Sequence, residues 1–287
     1  HSWELRQARD TPGDVGTDLS HPQEEVRDSI EQLLQANLCR AQEALRVLEE
    51  YSKLYNPEMA AACKQLRYRV YTIESKLFNS YRHERLQNAP LYLITSPEPE
   101  ILKTVEAALK GGLNLVQYRH KDGNDSDRLE KADQLCQLCH QYNALFIVND
   151  RVDIALAVDA DGVHLGQNDA PVAFARDILG SQKIVGRSTT NKQELNRAIA
   201  ERADYVGVGP FYETPTKPGK SPLTKEYIDY VKAKCPVPWF AIGGIDLSNL
   251  DAILTIGAQR VAVVRAIMQA EHPSQVTRQF LAQLIRR

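Results

Sequence analysis

The residues with the clearest chemical potential lie in the stretch 115–121, LVQYRHK. Read as a strand, it puts Gln117, Arg119 and Lys121 on one face, because residues two apart share a side. That face carries an amide and two cations, while Leu113, Leu115 and Tyr118 make the flanks apolar. An exposed edge strand with a solvated basic side would account for them. On a buried strand they require an anion, since an unpaired buried ion costs several kcal/mol. Farther along, Asp150 and Asp169 are short hard-oxygen ligands of the kind Mg²⁺ takes, one or two at a time, while bridging to a phosphate. Arg119, Lys121 and Lys217 could neutralise that phosphate directly. Gly243-Gly244, with backbone N–H groups at Val264 and Arg265, suits a second phosphate. Two phosphate sites, one assisted by a metal, suggest two phosphorylated substrates joined with pyrophosphate as leaving group.

Each piece also has a plainer reading. Asp150 and Asp169 both stand just before helical patterns and could be N-caps, and 214–219 could be a turn rich in Thr and Pro. What argues for a shared site is where the pieces fall. After Pro90, short apolar strands alternate with helices: 91–95, 115–121, 145–150, 162–166, 183–188, 205–210, 238–244 and 260–267 read as strands. About eight strand-helix units over roughly 200 residues match a parallel (β/α)₈ barrel, a TIM barrel, whose chemistry lies at the carboxyl ends of the strands. Gln117, Arg119, Lys121, Asn149, Asp150, Asp169, Ser188, Thr214, Thr216, Lys217, Gly243 and Gly244 all fall at or beyond such ends. An open doubly wound sheet is the alternative, but no G-x-G-x-x-G follows the first strand.

The segment before the barrel reads differently. Residues 1–22 are polar with Pro and Gly and are expected to be poorly ordered. From Glu24 to about Arg85 the apolar spacing is helical, broken at Asn56-Pro57, which gives a small all-α N-terminal domain, 1–88, before the barrel at 89–287. Glu43, Arg46 and Glu50 on its first helix, and Lys64, Arg67, Tyr68 and Arg69 on its second, read most simply as exposed ion pairs.

Composition sets the outer limits. With 43% hydrophobic and 25% charged residues the chain is ordinary for a globular protein. A formal net charge of −2 offers no basic field for nucleic acid, and no apolar run reaches the ~20 residues that span a bilayer. Five cysteines, an odd number scattered through helical patterns, fit a reducing compartment: a bacterial cytoplasm, or a plastid stroma in a eukaryote. Cys136, Cys139 and His140 spell the haem-attachment signature. However, Leu129, Ala132, Cys136 and Cys139 follow the apolar spacing of a helix, so core packing is the expectation.

The strings VQYRHK, IVND, HLGQND, GRS, TPTK, AIGGI and VAVV, in that order over residues 91–287, resemble the thiamine phosphate synthase family. The resemblance implies a transferase that joins a pyrimidine diphosphate to a thiazole phosphate, or its carboxylated form, with Mg²⁺ as cofactor. Its partners would be small phosphorylated molecules, with neither nucleic acid nor membrane, and a homo-oligomer stays open. Gln117, Arg119, Lys121, Asn149 and Lys217 would hold the pyrimidine diphosphate, and Asp150 and Asp169 the Mg²⁺. Ser188 would lie against the pyrimidine. Thr214, Thr216, Gly243, Gly244 and the backbone at Val264 and Arg265 would position the thiazole phosphate. Arg119, Lys121, Ser188 and Lys217 would be the catalytic set. Arg265 departs from the serine expected there. The segments ANLCRAQEALRVLEEY and KQLRYRVY look like the N-terminal domain fused to such synthases in cyanobacteria, and contain no nucleotide-binding motif. A thiazole tautomerase on the same fold and a non-catalytic sensor of thiamine precursors are the rival readings; the full set Lys121, Asp150, Asp169 and Lys217 argues against both.

Overall fold

A computed structural model describes residues 30–213 and 221–285. The chain divides into two units, one ending at Leu77 and the other running from Phe78. In the first, α1 (Ile30–Ser52) is followed by α2 (Pro57–Gln87), whose last turns belong to the second unit. The break falls at Asn56-Pro57 as its residues dictate. The Asn56 side chain accepts a hydrogen bond from Met59 N at 3.0 Å, and Pro57 occupies the first helical position.

The two helices bury little. Glu49, Ser52, Ala60 and Cys63 are buried, whereas Leu34, Leu48, Tyr51, Leu66 and Ile73 are exposed. Of the residues expected in surface pairs, Glu50 forms an exposed i,i+3 bridge at 2.7 Å, but with Lys53, which is outside the expected set. Arg67 instead reaches across to Glu49 at 2.9 Å, where both side chains are largely buried. This contact orders the pair more than an exposed i,i+3 bridge could.

Eight parallel strands close the second unit into a barrel in sequence order, β1 pairing with β8. They are β1 (Leu91–Ile94), β2 (Leu115–Tyr118), β3 (Leu145–Asn149), β4 (Gly162–Leu165), β5 (Ile184–Thr189), β6 (Tyr205–Val208), β7 (Trp239–Ile242) and β8 (Val261–Val263). The helices between them are α3 (Ile101–Lys110), α4 (Asp125–Gln141), α5 (Val152–Ala157), α6 (Val172–Leu179), α7 (Lys192–Ala200), α8 (Lys225–Lys234), α9 (Leu250–Thr255), α10 (Arg265–Met268) and α11 (Pro273–Ile285).

Strand alternation produces two cores. One set, including Leu93, Val116, Phe146, Val163 and Val206, packs outward against the helices. The other, including Tyr92, Leu115, Ile147, Ile184, Tyr205 and Phe240, fills the barrel. Tyr205 fits because β5 has Gly186 opposite; a Cβ there would lie 2.1 Å from the tyrosine ring.

The lower mouth is closed by the end of α2. Leu86 is buried among the interior residues. Around it Arg82 pairs with Asp161 at 3.2 Å, His83 with Asp204 at 2.9 Å, and Arg260 donates to Gln87 O at 2.8 Å. Asp161 also accepts from Phe146 N at 2.9 Å and binds His140 at 3.0 Å. Burial alone would raise the Asp161 carboxyl, but the His140 and Phe146 bonds and the Arg82 charge hold it at about 2, while His140 rises to about 10.

Three local expectations need correction. β2 ends at Tyr118, so Arg119 and Lys121 stand in the loop beyond the strand. The stretch 260–267 is not one strand: β8 stops at Val263 and α10 starts at Arg265. Cys136 and Cys139 are buried on α4 as expected, but their apolar face continues through Ala132 and Leu135, while Leu129 is exposed.

Candidate active site

At the carboxyl ends of the strands lies a cavity of about 420 Å³. Its walls include Gln117, Arg119, Lys121, Asn149, Asp150, Asp169, Ser188, Gly243, Gly244, Val264 and Arg265. The inward row of each strand delivers the deepest of them. Gln117 follows Leu115, Asn149 follows Ile147, and Ser188 follows Ile184 and Gly186, all by steps of two. Gln117 is buried and donates through Nε2 to Tyr92 OH at 2.6 Å. Ser188 Oγ lies 2.9 Å from His164 Nε2.

Lys121 and the two aspartates meet at the mouth. Lys121 Nζ is 3.5 Å from Asp150 Oδ2. Burial raises the Asp150 carboxyl, the neighbouring Asp169 carboxylate adds to the rise, and the Lys121 charge opposes it. Two carboxylates brought together against their own repulsion fit a hard cation, and their oxygens are the donors Mg²⁺ prefers. The N-cap readings fail for both. The N-cap of α5 is Arg151 and that of α6 is Pro171, and neither cap makes a side-chain bond. Asp169 Oδ2 instead accepts from Gly166 N at 2.6 Å. Asp150 has φ 62°, a left-handed conformation that aspartate tolerates better than most residues. Its N–H donates to His164 O at 2.8 Å, which ties the turn to β4.

Gly243 and Gly244 follow β7 at φ 109° and 66°. A Cβ on Gly243 would lie 2.6 Å from Pro210, so the close approach also requires glycine. Arg265 opens α10 on the same wall; hydrogen bonds from Ser248, then Asn249, and last the Arg265 charge hold the Asp246 carboxyl below the usual range. Thr214, Thr216 and Lys217 lie outside the described residues.

Comparison with known proteins accords with this geometry. The family described as thiamine monophosphate synthase matches residues 91–267. The chain belongs to this family. A second family, described as the ThiD2 family, matches residues 1–76. The thiamine-phosphate synthase of Nostoc punctiforme is 63% identical over 286 residues, spanning 100% of this chain and 82% of that protein. That of Synechocystis is 62% identical over 286 residues, spanning 100% of this chain and 83% of its own. Among solved structures, thiamine phosphate pyrophosphorylase from Pyrococcus furiosus is similar at 34% identity with a TM-score of 0.62, covering 69% of this chain and 97% of that one.

Within this member of the thiamine monophosphate synthase family, some site residues escape sequence reasoning. His164, Tyr92, Gln167 and Asp246 also line the cavity, and Gln167 Nε2 donates to Ser188 O at 2.5 Å. Arg187, on the opposite face of β5 from Ser188, is buried outside the cavity and donates to Ala170 O at 3.0 Å, just after Asp169. The usable signal is a polar residue at an inward position of an apolar strand, as His164 is within GVHL. Tyr92 carries no such signal, because tyrosine is at home in any strand.

Proposed function

We propose that the protein joins 4-amino-2-methyl-5-hydroxymethylpyrimidine diphosphate to a thiazole phosphate, giving thiamine phosphate and pyrophosphate. The observation that carries this reading is the meeting of Lys121, Asp150 and Asp169 above a polar floor containing Gln117 and Ser188. Gln117, Asn149 and Ser188 receive the pyrimidine. Arg119, Lys121 and Lys217 take up negative charge as the methylene C–O bond breaks and its electron pair leaves with pyrophosphate. The thiazole nitrogen lone pair then forms the new C–N bond, with the thiazole phosphate held by Thr214, Thr216, Gly243, Gly244 and the backbone at Val264 and Arg265. Asp150 and Asp169 would hold Mg²⁺, which when bound supplies Lewis-acid neutralisation of the leaving diphosphate.

Fixed cations around a departing anion favour a dissociative path without a covalent enzyme intermediate. The partners in this reading are the two phosphorylated small molecules. A reducing cytoplasm suits it, since all five cysteines are free thiols. Purified protein given both substrates and Mg²⁺ is expected to release one pyrophosphate per thiamine phosphate; no release with both at saturation would sink the assignment.

A further inference from the structure

Under the charged mouth, a continuous hydrogen-bonded row crosses the barrel. Gln117 Nε2 meets Tyr92 OH at 2.6 Å, and Tyr92 OH meets Tyr205 OH at 2.7 Å. Tyr205 OH meets His164 Nδ1 at 3.0 Å, and His164 Nε2 meets Ser188 Oγ at 2.9 Å. Both end residues, Gln117 and Ser188, line the cavity. Tyr92 and Tyr205 are fully buried, and burial pushes both phenols above their ordinary range, so each keeps its proton in neutral solution.

The arithmetic of donors restricts such a row. A phenol has one hydrogen to give and so has a neutral imidazole. With His164 as the neutral imidazole and every bond made, all hydrogens point the same way along the row, because one reversal leaves a buried donor or acceptor unmet. With the Gln117 amide nitrogen toward Tyr92, Tyr92 donates to Tyr205, Tyr205 to Nδ1 and Nε2 to Ser188. Gln117 then offers its carbonyl oxygen to the cavity and Ser188 its hydroxyl hydrogen. Turning the amide over reverses every bond, so that Gln117 offers hydrogens and Ser188 a lone pair. In either sense the two ends present opposite hydrogen-bonding character.

We propose that Tyr92, Tyr205 and His164 are positioning residues forming a relay that couples Gln117 to Ser188, so that the floor selects a ring carrying a donor on one side and an acceptor on another. An aminopyrimidine, with an amino group and two ring nitrogens spaced around its ring, meets that requirement. The identity of the ligand rests on the function proposed above; the relay itself does not.

Tyr205→Phe keeps the ring and removes the central hydroxyl. It is expected to weaken equilibrium binding of the aminopyrimidine diphosphate about tenfold and to leave the KM for the thiazole phosphate unchanged. In a Ser188→Ala background the same substitution should have little further effect, because its influence passes through Ser188. Equal losses for both substrates, or full additivity with Ser188→Ala, would overturn the relay. If Tyr205→Phe does not fold, Tyr92→Phe interrupts the same row and is read identically.

A second arm uses no ligand. In the free protein, Ser188→Ala should shift the side-chain amide NMR signals of Gln117, and should no longer do so once Tyr205→Phe is present. Gln117 signals that ignore Ser188→Ala refute the relay. Loss of turnover in the wild-type protein would refute the proposed function and leave this arm intact.

Discussion

The barrel and the helical pair before it use their apolar residues in opposite ways. Strand alternation sends the barrel's large side chains into two filled layers, and Tyr92, Phe146, Tyr205 and Phe240 are essentially inaccessible. In the helical unit, Leu34, Leu48, Tyr51, Leu66 and Ile73 stay exposed, and one of the contacts between the described helices is the largely buried ion pair Glu49–Arg67. Closure is the source of the difference, since a sheet joined to itself has an interior that two helices lack. The barrel can therefore set polar residues at its rim without losing its core.

That contrast can be broken at several points. Asp150→Asn should abolish most turnover, by about a hundredfold or more, while preserving the thermal midpoint; asparagine also tolerates the left-handed backbone and relieves repulsion from Asp169. A parallel fall in stability would show that the rim supports the fold. Leu86→Ala should cost about 2–5 kcal/mol in denaturant unfolding, as a cavity in the closed interior. Leu48→Ala or Leu66→Ala, at exposed positions, should cost less than about 1 kcal/mol. Similar losses at all three positions would mean that the helical pair has a hidden core.

The pH dependence of the lower mouth is a finer test. The pKa of His140 is about 10 in the folded protein against an ordinary 6.5, so its contribution is complete below about 6.5 and fades as pH rises through 10. The Asp161 carboxyl, at about 2 against 3.8, contributes above about 3.8 and fades as pH falls toward 2. His140→Gln should therefore lower the thermal midpoint most between about pH 4 and 6.5 and progressively less toward pH 10. A uniform deficit would indicate lost packing instead. The smallest effect is expected from deleting residues 1–77, with turnover staying within about twofold, whereas deletion through residue 87 removes Leu86 and destabilises the barrel.

Much of this division is legible in the residues themselves. Short continuous apolar runs separated by helical spacing announce the barrel, and the polar ends of those runs announce the site. What escapes is whatever depends on long-range partners. Arg82 and His83 look like surface residues of a polar helix until Asp161 and Asp204 are placed beneath them. Tyr92 and Tyr205 read as ordinary strand aromatics, and their shared hydrogen bond emerges once the barrel has closed. Charge alternation through Lys121 imitates a longer strand, since it continues past Tyr118, where backbone pairing stops. The helical periodicity before the barrel is equally plain, but it does not reveal that Arg67 would choose Glu49.

The segment that stops the lower mouth also has a history in time. Arg82 waits for a partner 79 residues later, His83 for one 121 residues later, and the Gln87 carbonyl for one 173 residues later. At about 5–20 residues per second of synthesis, these side chains leave the ribosome on the order of ten seconds before the last of their partners exists. The stopper is made early and seated late, which dates completion of the barrel to the arrival of its final strand.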